Sequence, residues 1–329
     1  MLYDIDIVIP WVDGTDPKWQ SEFKKYNPSS LLSDARFERY RDWDFLKYWF
    51  RGVERFAPWV RKIHFITFGH LPDWLDLDNP KLNIVKHEDY IPHEYLPLFN
   101  SHPIELFINR IKGLSEKFIY FNDDFFLISP VNSNVFFKKG MPCDMPILNA
   151  LTPNSVSPIR MNVVEIINHH FKKKHVISSY PFNWINLKYK KYLFKTLCLL
   201  PWKNFTGFLD QHAPTPYLKS TLDKVWSLEE AKLIQVANDK FRSITGINQY
   251  IFRYWQFCEG NTHPINIYNF YKYHEISDGG VDDIVADIME QKLKILTINE
   301  GYNIDFYFCQ EKINSAFECI LPEKSSFEI

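Results

Sequence analysis

Acidic side chains follow two apolar segments in the first part of the chain. The alternating segment 4–10 runs directly into a loop that contains Asp13, and the segment Phe-Ile-Tyr-Phe at 118–121 runs directly into Asn122, Asp123 and Asp124. In an open α/β sheet, ligands bind at the carboxyl ends of the strands. Neighbouring carboxylates at such an edge suit Mg²⁺, which prefers one or two carboxylates together with phosphate oxygens of a substrate. An ordinary turn explains either motif alone equally well, whereas the two together favour a site.

Other polar residues carry a weaker signal when each is taken alone. Arg39 and Arg41 lie near an aromatic helix pattern, where acidic neighbours could pair with them on the surface. His212 and Arg242 would also be ordinary surface residues without further context. The chain contains no GxGxxG, P-loop, GxSxG or HExxH motif, which argues against dehydrogenase, NTPase, serine-hydrolase and zinc-protease functions.

Composition describes a folded chain with no strong global charge. Hydrophobic residues make up 46% and charged residues 24% of the 329 residues, a balance that excludes a disordered chain. The net charge of −2 gives no basic footprint for nucleic acid. The five cysteines are scattered without a CxxC pair, which argues against a disulfide framework or zinc module and favours a reducing compartment. The first ten residues do not resemble a signal peptide, so we expect a cytoplasmic protein.

Alternating strand and helix patterns predict an α/β fold. Strand patterns occupy 4–10, 63–68, 82–85 and 118–121. Apolar residues at 45, 46, 49, 50, 53 and 56 define one face of a helix that Pro58 ends. A second helix is predicted to begin after a cap at Ser101 and to end at Gly113. This order predicts a mainly parallel sheet with flanking helices.

The rest of the chain is predicted to be largely helical. The capping-box pattern at 227–230 predicts the start of a helix, and further helices are predicted at 247–258 and 282–296. The proline-containing stretch 131–165 is typical of loops. We interpret 1–329 as a single catalytic domain. It has an α/β core at 1–130, a variable, loop-rich and basic-aromatic insert at 131–205, and a helical part at 206–329 that completes the active site.

Several blocks in a fixed order resemble the Stealth proteins, the sugar-phosphate transferases of bacterial surface polysaccharides. This family is related to the phosphotransferase that tags lysosomal enzymes. The segment 5–19, IDIVIPWVDGTDPKW, resembles its first conserved region. Four segments resemble the second conserved region: RYRDWDFLKY at 39–48, FAPWVRKI at 56–63, LPLFNS at 96–101 and FIYFNDD at 118–124. HAPTP at 212–216, Phe241-Arg242 and LPEKSSFE at 321–328 resemble the third and fourth regions, so the resemblance covers nearly the whole chain.

The resemblance implies a Rossmann-like core, similar to that of GT-A nucleotide-sugar transferases, and a phosphoryl-transfer reaction. Hexose or N-acetylhexosamine 1-phosphate would pass from a UDP-sugar to an acceptor hydroxyl, giving a phosphodiester and UMP. Such chemistry needs alignment and charge neutralisation more than covalent help. The implied partners are a UDP-sugar donor and an oligosaccharide or lipid-linked saccharide acceptor, with no nucleic acid.

The same resemblance implies roles for individual residues. Asp123 and Asp124 would bind Mg²⁺ (or Mn²⁺), and Arg242 and Arg41 would hold phosphate oxygens. His212 would be the general base on the acceptor hydroxyl. Asp13 could orient His212, bind the sugar, or act as the base in place of His212. Contacts to the donor are assigned to Arg39, Asn100, Arg110 and Asn122.

Two other functions fit parts of the pattern. Acidic loops at strand ends serve a metal-dependent glycosyltransferase equally well, and that enzyme would release UDP. A carbohydrate-binding protein without catalysis is the other alternative, because aromatic residues at 17% could supply stacking platforms.

A basic and aromatic segment at 171–203 carries a separate signal. No acidic residue occurs between Glu165 and Asp210. Within 171–203, eight lysines are interleaved with eight aromatic residues. Lysines are attracted to anionic bilayers, and aromatic rings suit the headgroup boundary. We therefore predict that this segment makes peripheral contact with the inner face of the cell membrane or with an anionic acceptor. The alternative is a solvated lysine surface over a helical lobe.

Overall fold

Strands and helices alternate along most of the chain. The computed structural model describes residues 4–26, 41–302 and 304–329. The strands are β1 (Ile5–Pro10), β2 (Ile63–Thr67), β3 (Leu82–Lys86), β4 (Lys117–Tyr120), β5 (Phe125–Leu127), β6 (Phe137–Lys138), β7 (Met141–Asp144), β8 (Thr215–Leu218), β9 (His263–Pro264), β10 (Tyr271–Glu275) and β11 (Ile295–Asn299). The α-helices are α1 (Pro17–Tyr26), α2 (Leu46–Phe56), α3 (Ser101–Leu106), α4 (Ser157–His170), α5 (Lys173–Ser179), α6 (Pro181–Trp184), α7 (Leu193–Leu199), α8 (Lys219–Ala237), α9 (Tyr250–Cys258), α10 (Val281–Glu290) and α11 (Phe306–Ile320).

The central sheet confirms the predicted fold class. Its strand order is β3-β2-β1-β4-β8, and the first four strands are parallel. All four strands predicted in the first 130 residues are present in it. Strand β8 joins the edge beside β4 in the antiparallel sense, so Thr215 at its start pairs with Tyr120 at the end of β4. The start of β8 therefore lies at the same edge of the sheet as the ends of β1 and β4.

Apolar side chains cover both faces of this sheet. Ile5, Ile7 and Ile9 of β1 belong to one hydrophobic core with the apolar face of α2, whereas Val8 belongs to the core on the other face with α8 and α9. Successive residues of a strand point to opposite faces, so an apolar strand can bury both. Helix α2 also approaches β5 closely, because a Cβ atom at Gly52 would lie 2.7 Å from the carbonyl oxygen of Leu127.

A second, three-stranded sheet packs beside the first and corrects one helix prediction. Strand β11 pairs with β10 in parallel and with β5 in the antiparallel sense. A single helix was predicted for 282–296, but α10 ends at Glu290 because Gln291 takes a left-handed conformation with φ of 49°. The chain after it forms β11, whose β-branched residues suit a buried strand.

Other helix boundaries also differ from the predictions. The cap of α3 is Asn100 rather than Ser101, and α3 ends at Leu106, ahead of a separate 3₁₀ turn at 108–110. Helix α8 begins at Lys219, before the predicted capping box, and Glu229 interrupts its helical geometry. The part 206–329 is also not purely helical, since it supplies β8 to the central sheet and β10 and β11 to the second sheet. Among the described residues, no helix is both long and apolar enough to cross a bilayer.

Candidate active site

The carboxyl edge of the central sheet brings three loops together. Strands β1 and β4 are parallel neighbours, so the loops that follow Pro10 and Tyr120 leave the sheet side by side. Because β8 is antiparallel to β4, the segment that precedes Thr215 reaches the same edge. His212 lies in that segment and Asp124 lies in the loop after β4. The topology therefore places in contact two residues that are 88 positions apart in sequence.

A cleft of about 1110 Å³ opens at this edge. The cleft walls include residues from the loops after β1 and β4, the segment before β8, and the loops around β10 and β11. Six residues assigned to the site from sequence line it: Arg41, Asn122, Asp123, Asp124, His212 and Arg242.

His212 and Asp124 form the central pair of the cleft. His212 Nε2 lies 3.0 Å from Asp124 Oδ2, and the ring packs edge-on against Phe125 with centroids 4.8 Å apart. Desolvation lowers the pKa of His212, but the charge and hydrogen bond of Asp124 outweigh it and raise that pKa above its ordinary value. The contact orients the ring and stabilises its protonated form, as a proton-accepting histidine requires.

The main chain of this pair is held by the second sheet. The hydroxyl of Thr297 in β11 donates to the carbonyl oxygen of His212 at 2.6 Å, and the Tyr271 hydroxyl donates to the same oxygen. The backbone N–H of Ile298 donates to the carbonyl oxygen of Asp124 at 2.9 Å. Both residues are thus fixed by rigid strands rather than by a free loop.

A buried arginine anchors the segment that leads to His212. Arg253, only 2% exposed, donates to both carboxylate oxygens of Asp144 at 2.7 Å. It also contacts Asp210 at 3.2 Å, and Asp210 accepts from the Tyr254 hydroxyl at 2.6 Å. These charges compensate one another inside the protein, so the cluster positions the segment 210–212.

Several carboxylates lie close to the His212–Asp124 pair. Asp123 is exposed to the cleft, where desolvation by the surrounding walls and the charges of Asp124 and Asp42 raise its pKa to about 7. Desolvation also raises the pKa of Asp42, which lines the same cleft. Carboxylates that disfavour one another's ionisation are stabilised by a bound cation.

The carboxylates of Asp123 and Asp124 suit a divalent cation that also binds phosphate oxygens of a substrate. Asp124 Oδ1 is buried and has no hydrogen-bond partner among the described residues, although Oδ2 contacts His212. Within residues 4–26, 41–302 and 304–329, no group of three or more His, Cys, Asp or Glu side chains could hold a metal by itself. Mg²⁺ commonly uses one or two carboxylates and completes its coordination with water and phosphate oxygens. Asp123 and Asp124 match that pattern.

Arg242 and Arg41, two of the three arginines in the described lining, supply positive charge to the cleft. Arg242 lines it and donates to the Ser101 hydroxyl at 3.2 Å. Arg41 pairs with Glu300 at 3.3 Å, and its guanidinium lies 4.8 Å from the ring centroid of Phe306. Guanidinium groups can bind phosphate oxygens in a bidentate manner, so this arrangement suits an anionic ligand.

Three other predicted residues lie elsewhere among the residues that the structure describes. Asp13 is not in the cleft lining; its Oδ1 accepts from the backbone N–H and the hydroxyl of Thr15 at 2.7 and 2.6 Å. The carboxylate that contacts His212 is that of Asp124, not that of Asp13. Asn100 is buried beneath the lining, where it caps α3 and donates to the carbonyl oxygen of Phe241 at 3.2 Å.

Arg110 is exposed outside the described lining of the cleft. Its guanidinium lies 4.7 Å from the ring centroids of both Phe107 and Trp226, and it is not among the described residues that line the cleft. Arg39, the remaining predicted contact, lies outside the described residues.

Glu105 lines the cleft, although no role was predicted for it. It is buried and accepts from the Tyr120 hydroxyl at 3.1 Å and from the backbone N–H of Gln249 at 3.3 Å. Desolvation raises the pKa of Glu105 to about 7, against the lowering effect of Arg242. Glu105 is directly beside Ile104 in a largely apolar segment, and burial of a carboxylate there without a partner would be costly.

A smaller cavity lies at the opposite edge of the sheet. It measures about 440 Å³ and lies beneath α2, near the start of β2. Its described lining contains none of the predicted site residues and is mostly apolar, so the larger cleft is the candidate active site.

Two descriptions of one protein family match the amino-terminal part of the chain. The family description "Stealth protein CR1, conserved region 1" matches residues 3–31, and "Stealth protein CR2, conserved region 2" matches residues 39–144. The second match extends past the boundary at 130 predicted for the α/β core. Among solved structures, that of the galactosyltransferase LgtC with donor and acceptor sugar analogues aligns over 98% of both chains, with 10% identity and a TM-score of 0.40.

Two curated relatives align over essentially their whole length. A capsular polysaccharide phosphotransferase of Streptococcus pneumoniae is 45% identical over 99% of this chain and 98% of its own. An exopolysaccharide phosphotransferase of Lactiplantibacillus plantarum is 36% identical over 99% of this chain and 96% of its own. The protein is therefore a transferase, and its candidate active-site cleft lies at the carboxyl edge of an α/β sheet. It belongs to the Stealth family.

Proposed function

We propose that this protein transfers hexose or N-acetylhexosamine 1-phosphate from a UDP-sugar to a saccharide hydroxyl during cell-surface polysaccharide synthesis. The observation that carries the proposal is the composition of the large cleft. A histidine–carboxylate pair, further carboxylates and two arginines face the same space, which supports proton removal beside a bound, charged phosphate group. Relatives named as capsular and exopolysaccharide phosphotransferases support the biological setting.

His212 accepts the proton of the acceptor hydroxyl in this mechanism. If Nε2–H donates to Asp124 Oδ2, the other ring nitrogen, Nδ1, is left with a lone pair for the incoming proton. The acceptor oxygen then forms a bond to the phosphorus that carries the sugar, and the bond from that phosphorus to the UMP oxygen breaks. The bond between sugar C1 and its oxygen stays intact, so the anomeric configuration is retained.

Arg242 and Arg41 stabilise negative charge on the transferring phosphate. Phosphoryl transfer relies mainly on positioning and charge stabilisation, since the charge is spread over the equatorial oxygens. Arg242 is held by the Ser101 hydroxyl, and Arg41 is held between Glu300 and Phe306. Both guanidinium groups thus start from a fixed position on the cleft wall.

Asp123 and Asp124 would hold the divalent cation, Mg²⁺ or Mn²⁺. The bound ion would supply charge neutralisation for the pyrophosphate of the donor. The raised pKa of Asp123 and the unpartnered oxygen Asp124 Oδ1 support this assignment. Asn122 lies on the same wall of the cleft and would contact the donor.

The direct test follows the phosphorus next to the sugar. The purified protein is given a panel of UDP-hexoses and UDP-N-acetylhexosamines labelled at that phosphorus, saccharide acceptors, and either Mg²⁺ or a chelator. We expect the label in the saccharide product and unlabelled UMP, with little product under chelator or in the His212→Ala variant. Labelled UDP as the stoichiometric product would instead establish an ordinary glycosyltransferase. Saccharide binding without donor consumption would establish a carbohydrate-binding protein.

A further inference from the structure

The segment 171–203 exposes several large apolar side chains. Leu187 is 88% exposed, Phe182 81%, Phe194 69% and Trp202 55%. Single exposed apolar residues are ordinary, whereas a concentration of them in one short stretch indicates an interaction surface. We call residues 171–203 the exposed segment.

The local fold explains why these side chains point outward. Trp184, Tyr189 and Thr196 take the inward positions, and each is fully buried. The Tyr189 hydroxyl donates to the carbonyl oxygen of Asn183 at 2.5 Å, and the Thr196 hydroxyl accepts from the backbone N–H of Leu148 at 3.1 Å. These contacts fix the orientation of the short helices, so their remaining apolar residues stay outside.

Helix α7 shows this arrangement most clearly. Phe194, Leu197 and Cys198 are spaced at i, i+3 and i+4, which puts them on one helix face, and all three are exposed. The exposed apolar surface therefore results from helix geometry and is not confined to one loop tip.

Positive charge surrounds these apolar residues. Seven lysines between residues 171 and 203 are exposed, and the interval from Glu165 to Asp210 contains no acidic residue. The exposed lysines are Lys172, Lys174, Lys188, Lys190, Lys191, Lys195 and Lys203. Lys138 and Lys139 of the β6–β7 turn extend the basic surface. Desolvation lowers the pKa of His263, and these two lysines and Lys188 lower it further.

We propose that the exposed segment docks on an anionic lipid bilayer. The lysines would face the anionic headgroups, and the aromatic and aliphatic side chains would enter the headgroup boundary. A second copy of this chain is a poor occupant, because two such surfaces would place like charges together. Nucleic acid does not account for Leu187 and the other exposed aliphatic side chains, which cannot stack on bases as aromatic rings do.

The exposed segment is also connected to the wall of the active-site cleft. Tyr192 stacks on Tyr268 with ring centroids 4.5 Å apart, and Tyr268 lines the cleft. Lys190 Nζ donates to Asn269 Oδ1 at 2.8 Å in the same region. A bilayer bound here would therefore lie beside a wall of the cleft. Docking itself requires neither donor nor turnover, so it can be tested independently of the proposed reaction.

Vesicle sedimentation of the full chain tests the proposal. We compare phosphatidylcholine vesicles with vesicles that also contain phosphatidylglycerol, at low and high salt. Binding should require the anionic lipid. It should also fall with added salt, because the distance over which charges attract shrinks to about 10 Å at 0.1 M ionic strength and shortens further as salt is added. Lys173 must be spared in the variants, since it is buried and its Nζ donates to the carbonyl oxygen of Leu199 at 2.7 Å.

Two variants of the exposed surface are paired with two controls elsewhere. The charge variant is Lys172→Gln, Lys174→Gln and Lys203→Gln, and its control is Lys112→Gln, Lys232→Gln and Lys324→Gln. The apolar variant is Phe182→Ser, Leu187→Ser and Phe194→Ser, and its control is Leu77→Ser, Leu228→Ser and Met289→Ser. All twelve positions are exposed, and each control removes as many charges or large apolar side chains as its partner.

The two variants should lose binding while their controls keep it. Each lysine near an anionic surface contributes about fivefold in affinity, so the charge variant should bind roughly one hundredfold more weakly. The single change Leu187→Ser, at the most exposed apolar position, provides a second test if the triple variant fails to fold. Equal recovery in the supernatant with both vesicle types at low salt would overturn the proposal. Equal losses in the controls would also overturn it, as would binding to an oligonucleotide but not to vesicles.

Discussion

Two aspartate–histidine pairs lie at opposite edges of the central sheet and share the same contact distance. Near the amino end of β1, Asp6 Oδ2 lies 3.0 Å from His64 Nε2. At the carboxyl edge, Asp124 Oδ2 also lies 3.0 Å from His212 Nε2. The distance alone therefore does not distinguish a structural pair from a catalytic one.

The difference lies in the remaining atoms of each pair. Asp6 also accepts from the Arg61 guanidinium and from the backbone N–H of Ser115, and His64 Nδ1 contacts Asn83 Nδ2 at 2.8 Å. Desolvation raises the pKa of Asp6, but these hydrogen bonds outweigh it and lower that pKa below its ordinary value.

The cleft pair is less completely satisfied. Asp124 Oδ1 has no partner among the described residues, and the His212 side chain is 40% exposed. An aspartate–histidine pair whose other polar atoms all have hydrogen-bond partners stabilises the fold. A pair with a polar atom that lacks a partner can bind a ligand or accept a proton.

The largest expected effect separates the two histidines. His212→Ala should lower turnover by about two to four orders of magnitude, the usual contribution of a general base, and should change the free energy of unfolding by under about 1 kcal/mol. His64→Ala should lower stability while the folded fraction keeps its turnover. Product formation and denaturant unfolding measure the two quantities. Near-normal turnover in well-folded His212→Ala would remove His212 from the base role.

The two aspartates should differ in the same way. Asp6→Asn should destabilise the protein by about 2 kcal/mol, which is less than breaking a fully buried pair because the Arg61 side chain is 36% exposed. Asp124→Asn should instead weaken Mg²⁺ or Mn²⁺ binding and lower turnover. Calorimetric metal titration and chemical denaturation of both variants provide the comparison. A stability loss in Asp124→Asn as large as that in Asp6→Asn would show that the cleft pair is mainly structural.

The stability contributed by Asp6 should depend on pH in a defined direction. Its folded pKa is lowered from 3.8, so the folded state favours the charged carboxylate more than the unfolded state does. That contribution is complete above pH 3.8 and is lost as the pH falls through the lower folded pKa. The difference in unfolding free energy between the wild type and Asp6→Asn should therefore shrink only in acid. A difference that shrinks between neutral pH and pH 5 would contradict this assignment.

The sequence predicted the sheet and the acidic cleft better than it predicted the contacts within them. Apolar alternation located β1 to β4, and the ordering of parallel strands implied that Asp123 lies at a ligand-binding edge. The antiparallel pairing of β8 with β4 could not be predicted from the local sequence pattern. This pairing brings His212 to Asp124. Long-range pairing of this kind depends on tertiary packing rather than on propensity.

Local sequence pattern could not distinguish two possible structural uses at Asn100 and in 282–296. Asn100 has the residue type expected of a donor contact, but a helix cap is an equally ordinary role for asparagine. Residues 282–296 contain helix-like spacing throughout, and only the left-handed Gln291 and the partner strands distinguish the last part as β11. Both cases required knowledge of neighbours that are distant in sequence.

The smallest expected effect is that of Arg110, which we compare with Arg242. Arg110 stacks on Phe107 and Trp226 outside the cleft, so Arg110→Ala should change turnover by less than about threefold, or under about 0.7 kcal/mol in activation free energy. It should lower stability by about 0.5–1 kcal/mol through the lost cation–π contacts. Arg242→Ala, assayed in parallel, should reduce turnover by about two orders of magnitude without comparable destabilisation. If Arg110→Ala raised the Michaelis constant for the UDP-sugar more than tenfold with stability unchanged, the donor would have to extend beyond the cleft to reach Arg110.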